Sequence, residues 1–170
     1  MQHIETVVVG SGGAASITFS AIPDTHTDLL IVYSLRGTNS ANYQTLYFNG
    51  SAANFTQREL IGDGSSASSS SRTDALIRAT TNPSTATAST FANASIYIPN
   101  YRSAVAKSFS VDGVTETNAT AAFQTIKAGL WNQTAAITSI TLDADASFVE
   151  FSSASLFGIT AGSDGIVAVS

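Results

Sequence analysis

Lys107-Ser108-Phe109-Ser110-Val111-Asp112-Gly113, and after a polar bend Ala122-Phe123-Gln124-Thr125-Ile126-Lys127-Ala128-Gly129-Leu130-Trp131, decide the fold class. Phe109 and Val111 alternate with Ser108 and Ser110, and Asp112-Gly113 is a turn dipeptide. Ala122, Gln124, Ile126, Ala128 and Leu130 then continue a period of two. Such alternation turns one face of a strand to a core and the other to solvent. The stretch therefore reads as strand, turn, strand, written in Ser, Thr, Ala and Asn.

The same pattern extends in both directions. Ile4 to Val9 is a β-branched run ended by Gly10-Ser11-Gly12-Gly13, and Ser16 to Phe19 alternates up to Pro23, which predicts a first hairpin. Asp28 opens Leu29 to Leu35, apolar at almost every position, as expected of a central strand covered on both faces. Tyr43 to Phe48 stops at Asn49-Gly50, a strong turn signal, and Phe55 to Ile61 follows with Arg58 and Glu59 on opposite faces.

Gly62 to Ser71 is Ser-rich with no apolar residue larger than alanine, and reads as a flexible solvent loop. Strands are expected at Asp74 to Ala79, at Thr90 to Ile98 with Phe91, Ile96 and Ile98 inward, at Ile137 to Leu142, and as one long run from Phe148 to Ile159. About eleven strands and no helix predict an all-β, antiparallel β-sandwich of jelly-roll type over residues 1–159. Residues 160–170 form a separate C-terminal arm. Its β-prone end, with Ile166, Val167 and Val169, either adds to a neighbouring subunit's sheet or closes its own.

Composition narrows the function classes. The 170 residues are 44% hydrophobic, enough for a sizeable core, but only 11% charged, against roughly 25% in ordinary soluble domains. Ser and Thr supply about a quarter of the chain, so solubility comes from hydroxyls, amides and backbone. A net charge of −5 with seven scattered basic residues argues against nucleic-acid binding. No cysteine is present, which removes thiol chemistry. Neither a basic leader nor an apolar run of membrane-spanning length occurs, so export and membrane insertion are not expected.

Chemistry-bearing groups are sparse. The histidines are His3 at the N-terminal edge and His26 in a polar turn, read as solvated, and no G-x-S-x-G elbow accompanies them. The glycines of residues 10–13 lack the G-K-[ST] of a phosphate loop and read as a turn. Asp143 and Asp145 flank Ala144 as a polar turn, too few carboxylates for a calcium loop. Glu150 reads as a partly covered edge charge rather than one of a glycosidase pair. The five Asn-x-Ser/Thr matches, at Asn49, Asn54, Asn93, Asn118 and Asn132, are expected by chance in such a composition. Tyr43, Tyr47, Tyr97 and Tyr101 are candidate stacking faces for a glycan, with Tyr47 and Tyr97 also expected as ordinary outward tyrosines. Trp131 is expected to plug one end of the sandwich. No catalytic, cofactor or metal residue emerges.

Several blocks resemble a known family. They are Thr6-Val7-Val8-Val9-Gly10-Ser11-Gly12-Gly13, Thr27-Asp28-Leu29-Leu30-Ile31-Val32, Phe48-Asn49-Gly50, Ile96-Tyr97-Ile98-Pro99-Asn100-Tyr101, Gly129-Leu130-Trp131 and Ala154-Ser155-Leu156-Phe157-Gly158-Ile159. Together they resemble small β-rich virion proteins of tailed bacteriophages, especially those of aquatic and cyanobacterial hosts, over roughly residues 4–159. The resemblance implies a non-enzymatic structural protein, made in the host cytoplasm and carried on the virion surface. As a capsid decoration (cement) protein it would bind the major capsid protein as a homo-oligomer, a trimer by analogy with other cements. As a tail-fibre tip it would recognise a host surface glycan. Strands from Ile4 onward and the lack of heptads favour the head. A carbohydrate-binding module of the same shape is the alternative from another class.

Overall fold

A computed structural model describes residues 1–73, 77–118 and 122–161. Among them no residue is helical, so none forms a helix long and apolar enough to cross a membrane. The strands are β1 (Gln2–Val8), β2 (Ala14–Phe19), β3 (Asp28–Leu35), β4 (Tyr43–Phe48), β5 (Phe55–Gly62), β6 (Ala67–Arg72), β7 (Ile77–Thr80), β8 (Ala92–Ile98), β9 (Lys107–Val114), β10 (Gln124–Trp131), β11 (Ile140–Phe148) and β12 (Ser153–Ile159). They form two antiparallel sheets, one of eight strands in the order β1-β12-β3-β8-β9-β10-β5-β6 and one of four in the order β2-β11-β4-β7. The expected all-β sandwich is what the chain adopts. Residues 162–170 of the C-terminal arm, with Ile166, Val167 and Val169, lie outside the described residues, as do the first three residues of the strand expected from Asp74.

The core lies between the sheets. Leu29, Ile31, Leu35, Ile96, Ile98 and Leu156 come from the large sheet, and Ile17, Phe19, Leu46, Phe48, Ile140 and Leu142 from the small one. Each set sits at every second position of its strand, so period-two patterning alone buries it. Phe48 meets Phe55, Phe109 and Trp131 edge to face, with centroids 5.3, 5.4 and 5.6 Å apart, geometry that favours aromatic quadrupoles. Trp131 is locked from behind by Lys107, whose Nζ lies 5.7 Å from the ring. That Nζ also donates to the carbonyls of Ser103, Thr134 and Ala135 at 2.7, 3.1 and 2.6 Å. Burial lowers the Lys107 pKa, while the carbonyl cage supplies acceptors for its protons.

Several sequence expectations change in three dimensions. β1 and β2 are not a hairpin: β1 pairs with β12 and β2 with β11 in the opposite sheet, so the glycine turn carries the chain between layers. There Gly13 has φ +70, and a Cβ would meet the Phe148 carbonyl oxygen at 2.9 Å. β3 is central, but only one of its faces is covered, and Val32 is exposed. Asp112-Gly113 does not turn. Both residues lie inside β9, because Gly113 faces inward where any Cβ would strike the Thr80 side chain.

The Ser-rich run is no loop. Ala67–Arg72 pairs with β5 as an edge strand, and Asp63 ties the turn by accepting from Ser65 and Ser66 backbone N–H groups at 2.9 and 2.7 Å. Those bonds hold the Asp63 pKa well below the usual carboxylate range. The long run from Phe148 breaks at residues 149–152, separating β11 from β12. Phe91, expected inward, is only half-buried, and Ala92 and Ala94 join Ile96 and Ile98 in the interior. The Asn49-Gly50 turn holds as expected, with φ +53 and +73, the left-handed pair that a two-residue hairpin turn requires.

Candidate functional site

The eight-stranded sheet is wider than the sheet facing it, and the excess creates the candidate site. Antiparallel register places Thr125, Lys127, Gly129 and Trp131 of β10 on the inner face, level with Ile61, Glu59, Gln57 and Phe55 of β5. Ile126, Ala128 and Leu130, the apolar series of the sequence pattern, therefore point outward. Near Trp131 the inner face is covered by Phe48. Toward Thr125 the small sheet ends at β7, where Thr80 Oγ1 meets Thr125 Oγ1 at 2.8 Å. Past that contact the inner face lines a groove made of two adjoining hollows.

The first hollow, of about 210 Å³, is lined by Tyr43, Glu59, Ile61, Arg72, Thr125 and Lys127, with Asn42, Thr80, Thr115 and Phe123. Its floor carries an ion pair between cross-strand neighbours, Lys127 Nζ to Glu59 Oε1 at 2.5 Å, with both side chains largely buried. On the neighbouring strand β4, the Gln44 amide oxygen accepts a hydrogen bond from the Tyr33 hydroxyl at 3.0 Å, and its amide nitrogen donates to the Thr80 and Ala79 carbonyls. Burial raises the Tyr33 pKa far above its ordinary value, so the hydroxyl remains a donor.

The second hollow, of about 290 Å³, shares Asn42, Thr115 and Phe123 with the first and adds Ser40, Asn82, Pro83, Thr85, Ala86 and Thr117. Its walls are positioned by hydrogen bonds. Phe123 is clamped to Thr115, whose N–H donates to the Phe123 carbonyl at 2.8 Å and whose Oγ1 accepts from the Phe123 N–H at 3.0 Å. The loop after Asn82 is held by Arg36, whose guanidinium donates to the carbonyls of Ala86, Thr87 and Thr90 at 2.9, 2.8 and 2.9 Å. Asn82 Oδ1 and Thr117 Oγ1 are buried, and neither has a hydrogen-bond partner among the described residues. An unmet buried polar atom costs about 1–3 kcal/mol, and both of these belong to residues that line this hollow.

The residues expected to contact glycan do not form one platform. Tyr43 lines the groove. Tyr47 is half-buried on β4, its pKa raised by burial and then by the charges of Asp143 and Asp145. Tyr97 is exposed on the large sheet, donating to Asp28 Oδ2 at 2.7 Å. Tyr101 is 1% exposed, its hydroxyl bonded to the Pro23 carbonyl, so it is core and cannot stack on a ligand. His26 is likewise buried, hydrogen-bonded to Thr160 Oγ1 at 2.9 Å and packed on Gly158. It is a structural plug, not a solvated turn residue. Asp143 and Asp145 belong to β11. Asp143 accepts the Asp145 N–H at 2.8 Å, and Asp145 accepts from Thr45 at 3.2 Å. Glu150 is exposed in the turn after β11. Among the described residues no three His, Cys, Asp or Glu side chains gather as a metal site would require.

A second feature lies toward the other edge of the large sheet. Phe151 is 70% exposed at φ +71, beside Val8 at 63%. The strained turn is fixed by backbone bonds: Phe151 N to Val9 O at 3.0 Å, Val9 N to Ser152 O at 2.8 Å and Val149 N to Arg36 O at 3.0 Å. A bulky residue in the left-handed region costs about 1–3 kcal/mol. The chain thus holds an aromatic ring in water at an energetic cost. Sequence alternation placed Phe151 on a long strand and offered no sign of this. Compared with protein-family models, curated proteins and solved structures, the chain matches none.

Proposed function

We propose that this protein is a non-enzymatic bacteriophage virion component, a capsid decoration protein that binds the major capsid protein on the outer head surface. The observation that carries it is Phe151 with Val8, an exposed apolar pair on a turn whose backbone is too well tied to fold the ring away. Large apolar side chains displayed on rigid backbone are the usual anchors of protein interfaces. The strand order adds support. Without the pairs β5–β6 and β9–β10, the chain alternates between the two sheets except from β4 to β7, which are neighbours in the small one. Renumbered on that basis, the eight remaining strands run 1-8-3-6 and 2-7-4-5, an order that supports the jelly-roll reading. The blocks that resemble small phage virion proteins point the same way.

The mechanism is mechanical. A stiff sandwich spans neighbouring capsid subunits, buries an interface on the order of 1,200–2,000 Å², and resists their separation. A homo-oligomer, a trimer by analogy, multiplies that effect through avidity. The groove favours a second reading, a tail-fibre tip that contacts host glycan, or a carbohydrate-binding module.

Gold-labelled antibody applied to intact particles of the encoding phage separates these readings. Label on heads is expected, label on tail tips favours the second reading, and particles without the protein exclude both virion roles. Phe151→Asp is expected to reduce co-sedimentation with heads at least about tenfold, the equivalent of one lost anchor, without lowering the melting temperature.

A further inference from the structure

We infer that the groove beside the overhanging strands is a binding site for a neutral saccharide, wherever on a particle the protein sits. Its two hollows, about 210 and 290 Å³, fall at or below the lower end of the roughly 300–1,000 Å³ of small-molecule sites. That volume suits the end of a glycan rather than a folded partner.

The lining decides the chemistry. The larger hollow presents the polar side chains of Ser40, Asn42 and Thr85, with the buried Asn82 and Thr117 set in its wall, no charged side chain, and Phe123 as an aromatic wall. In that wall Asn82 Oδ1 is an acceptor and Thr117 Oγ1 a donor or acceptor, both buried and without a partner among the described residues. Sugar hydroxyls do both, and the apolar face of a pyranose ring can lie on Phe123. In the smaller hollow the charges of Lys127 and Glu59 are paired with each other and Arg72 is engaged within the protein as well, so the groove as a whole does not select an anion. The formal net charge of −5 opposes polyanions further.

The site is built rather than incidental. Arg36 ties down the loop carrying Pro83, Thr85 and Ala86, the Thr115–Phe123 clamp sets the opposite wall, and Asn82 Nδ2 is committed to Thr90 Oγ1 at 3.0 Å. That last bond leaves Oδ1 as the free function of the Asn82 amide. Preorganised polar groups of this kind bind without first paying an ordering entropy.

Saturation-transfer NMR on the full chain, with methyl α-D-glucoside, methyl α-D-mannoside, methyl β-D-galactoside and N-acetylglucosamine as probes, tests the site. At least one probe is expected to receive transfer. Thr117→Val, which deletes a hydroxyl without a partner among the described residues, should weaken it about tenfold while leaving the melting temperature unchanged or higher. Asn42→Ala, at an exposed position, should weaken it as well and guards against a misfolded first variant. The inference is overturned if no probe receives transfer, if transfer survives both substitutions unchanged, or if glucose 6-phosphate binds more tightly than methyl α-D-glucoside.

Discussion

Phe55 and Ile61 stand at opposite ends of β5 on the same inner face, and their surroundings differ completely. Phe55 stacks with Trp131 and meets Phe48 from the facing sheet. Ile61, level with Thr125, lines an open groove beside Glu59, Lys127 and Arg72. The backbone is equally regular at both ends, so strand geometry does not explain the contrast. What differs is the reach of the four-stranded sheet: β4 covers one end, and the sheet stops at β7 before covering the other. An overhanging sheet converts the same alternation into core at one end and a polar cleft at the other.

Removing the cover at the aromatic end is expected to have the largest effect. Phe48→Ala should cost about 3–5 kcal/mol by urea denaturation, because three rings lose their common partner. A loss below about 1 kcal/mol would mean that the two ends are not energetically distinct.

The polar end should respond less, and differently. Glu59→Leu alone is expected to cost about 2 kcal/mol, since it removes the carboxylate facing Lys127 at the groove floor. Adding Lys127→Met should recover most of that loss. A double variant as unstable as the single one would show that the ion pair is not the coupled unit.

The smallest expected effect is alkaline. Tyr33 has an ordinary pKa of 10.0 that burial raises in the folded chain. Above pH 10 the unfolded chain therefore releases this proton first, so the stabilisation is complete below that pH and is lost as pH rises beyond it. The urea midpoint should fall between about pH 9 and 11, and fall less steeply in Tyr33→Phe. Equal slopes would place the titration elsewhere, as in Tyr97 or Tyr101, whose pKa values are also raised.

Much of the fold was legible residue by residue, and the misreadings share one cause. Gly62 to Ser71 lacks apolar residues, so hydropathy reads it as loop, yet backbone pairing to β5 suffices for an edge strand. Asp112-Gly113 carries turn chemistry, but here glycine serves to clear Thr80. Of the tyrosines proposed for glycan, Tyr43 alone reached the groove. Asn42, Thr80, Asn82, Thr117 and Lys127, which meet there, are far apart in the chain and carry no common motif.

The sequence by itself determined that this chain is all-β and antiparallel, because period-two alternation, β-branched runs and turn dipeptides leave a helix no apolar face to bury. Only the tertiary structure decided which side of each strand is inside. Alternation describes two faces equally well, and in β10 the side with Ile126, Ala128 and Leu130 lost to the side with Thr125, Lys127 and Trp131. Register with β9 and β5, the aromatic contact to Phe48 and the Lys127–Glu59 pair settled that choice, since shifting a strand by one residue exchanges every side chain between core and solvent.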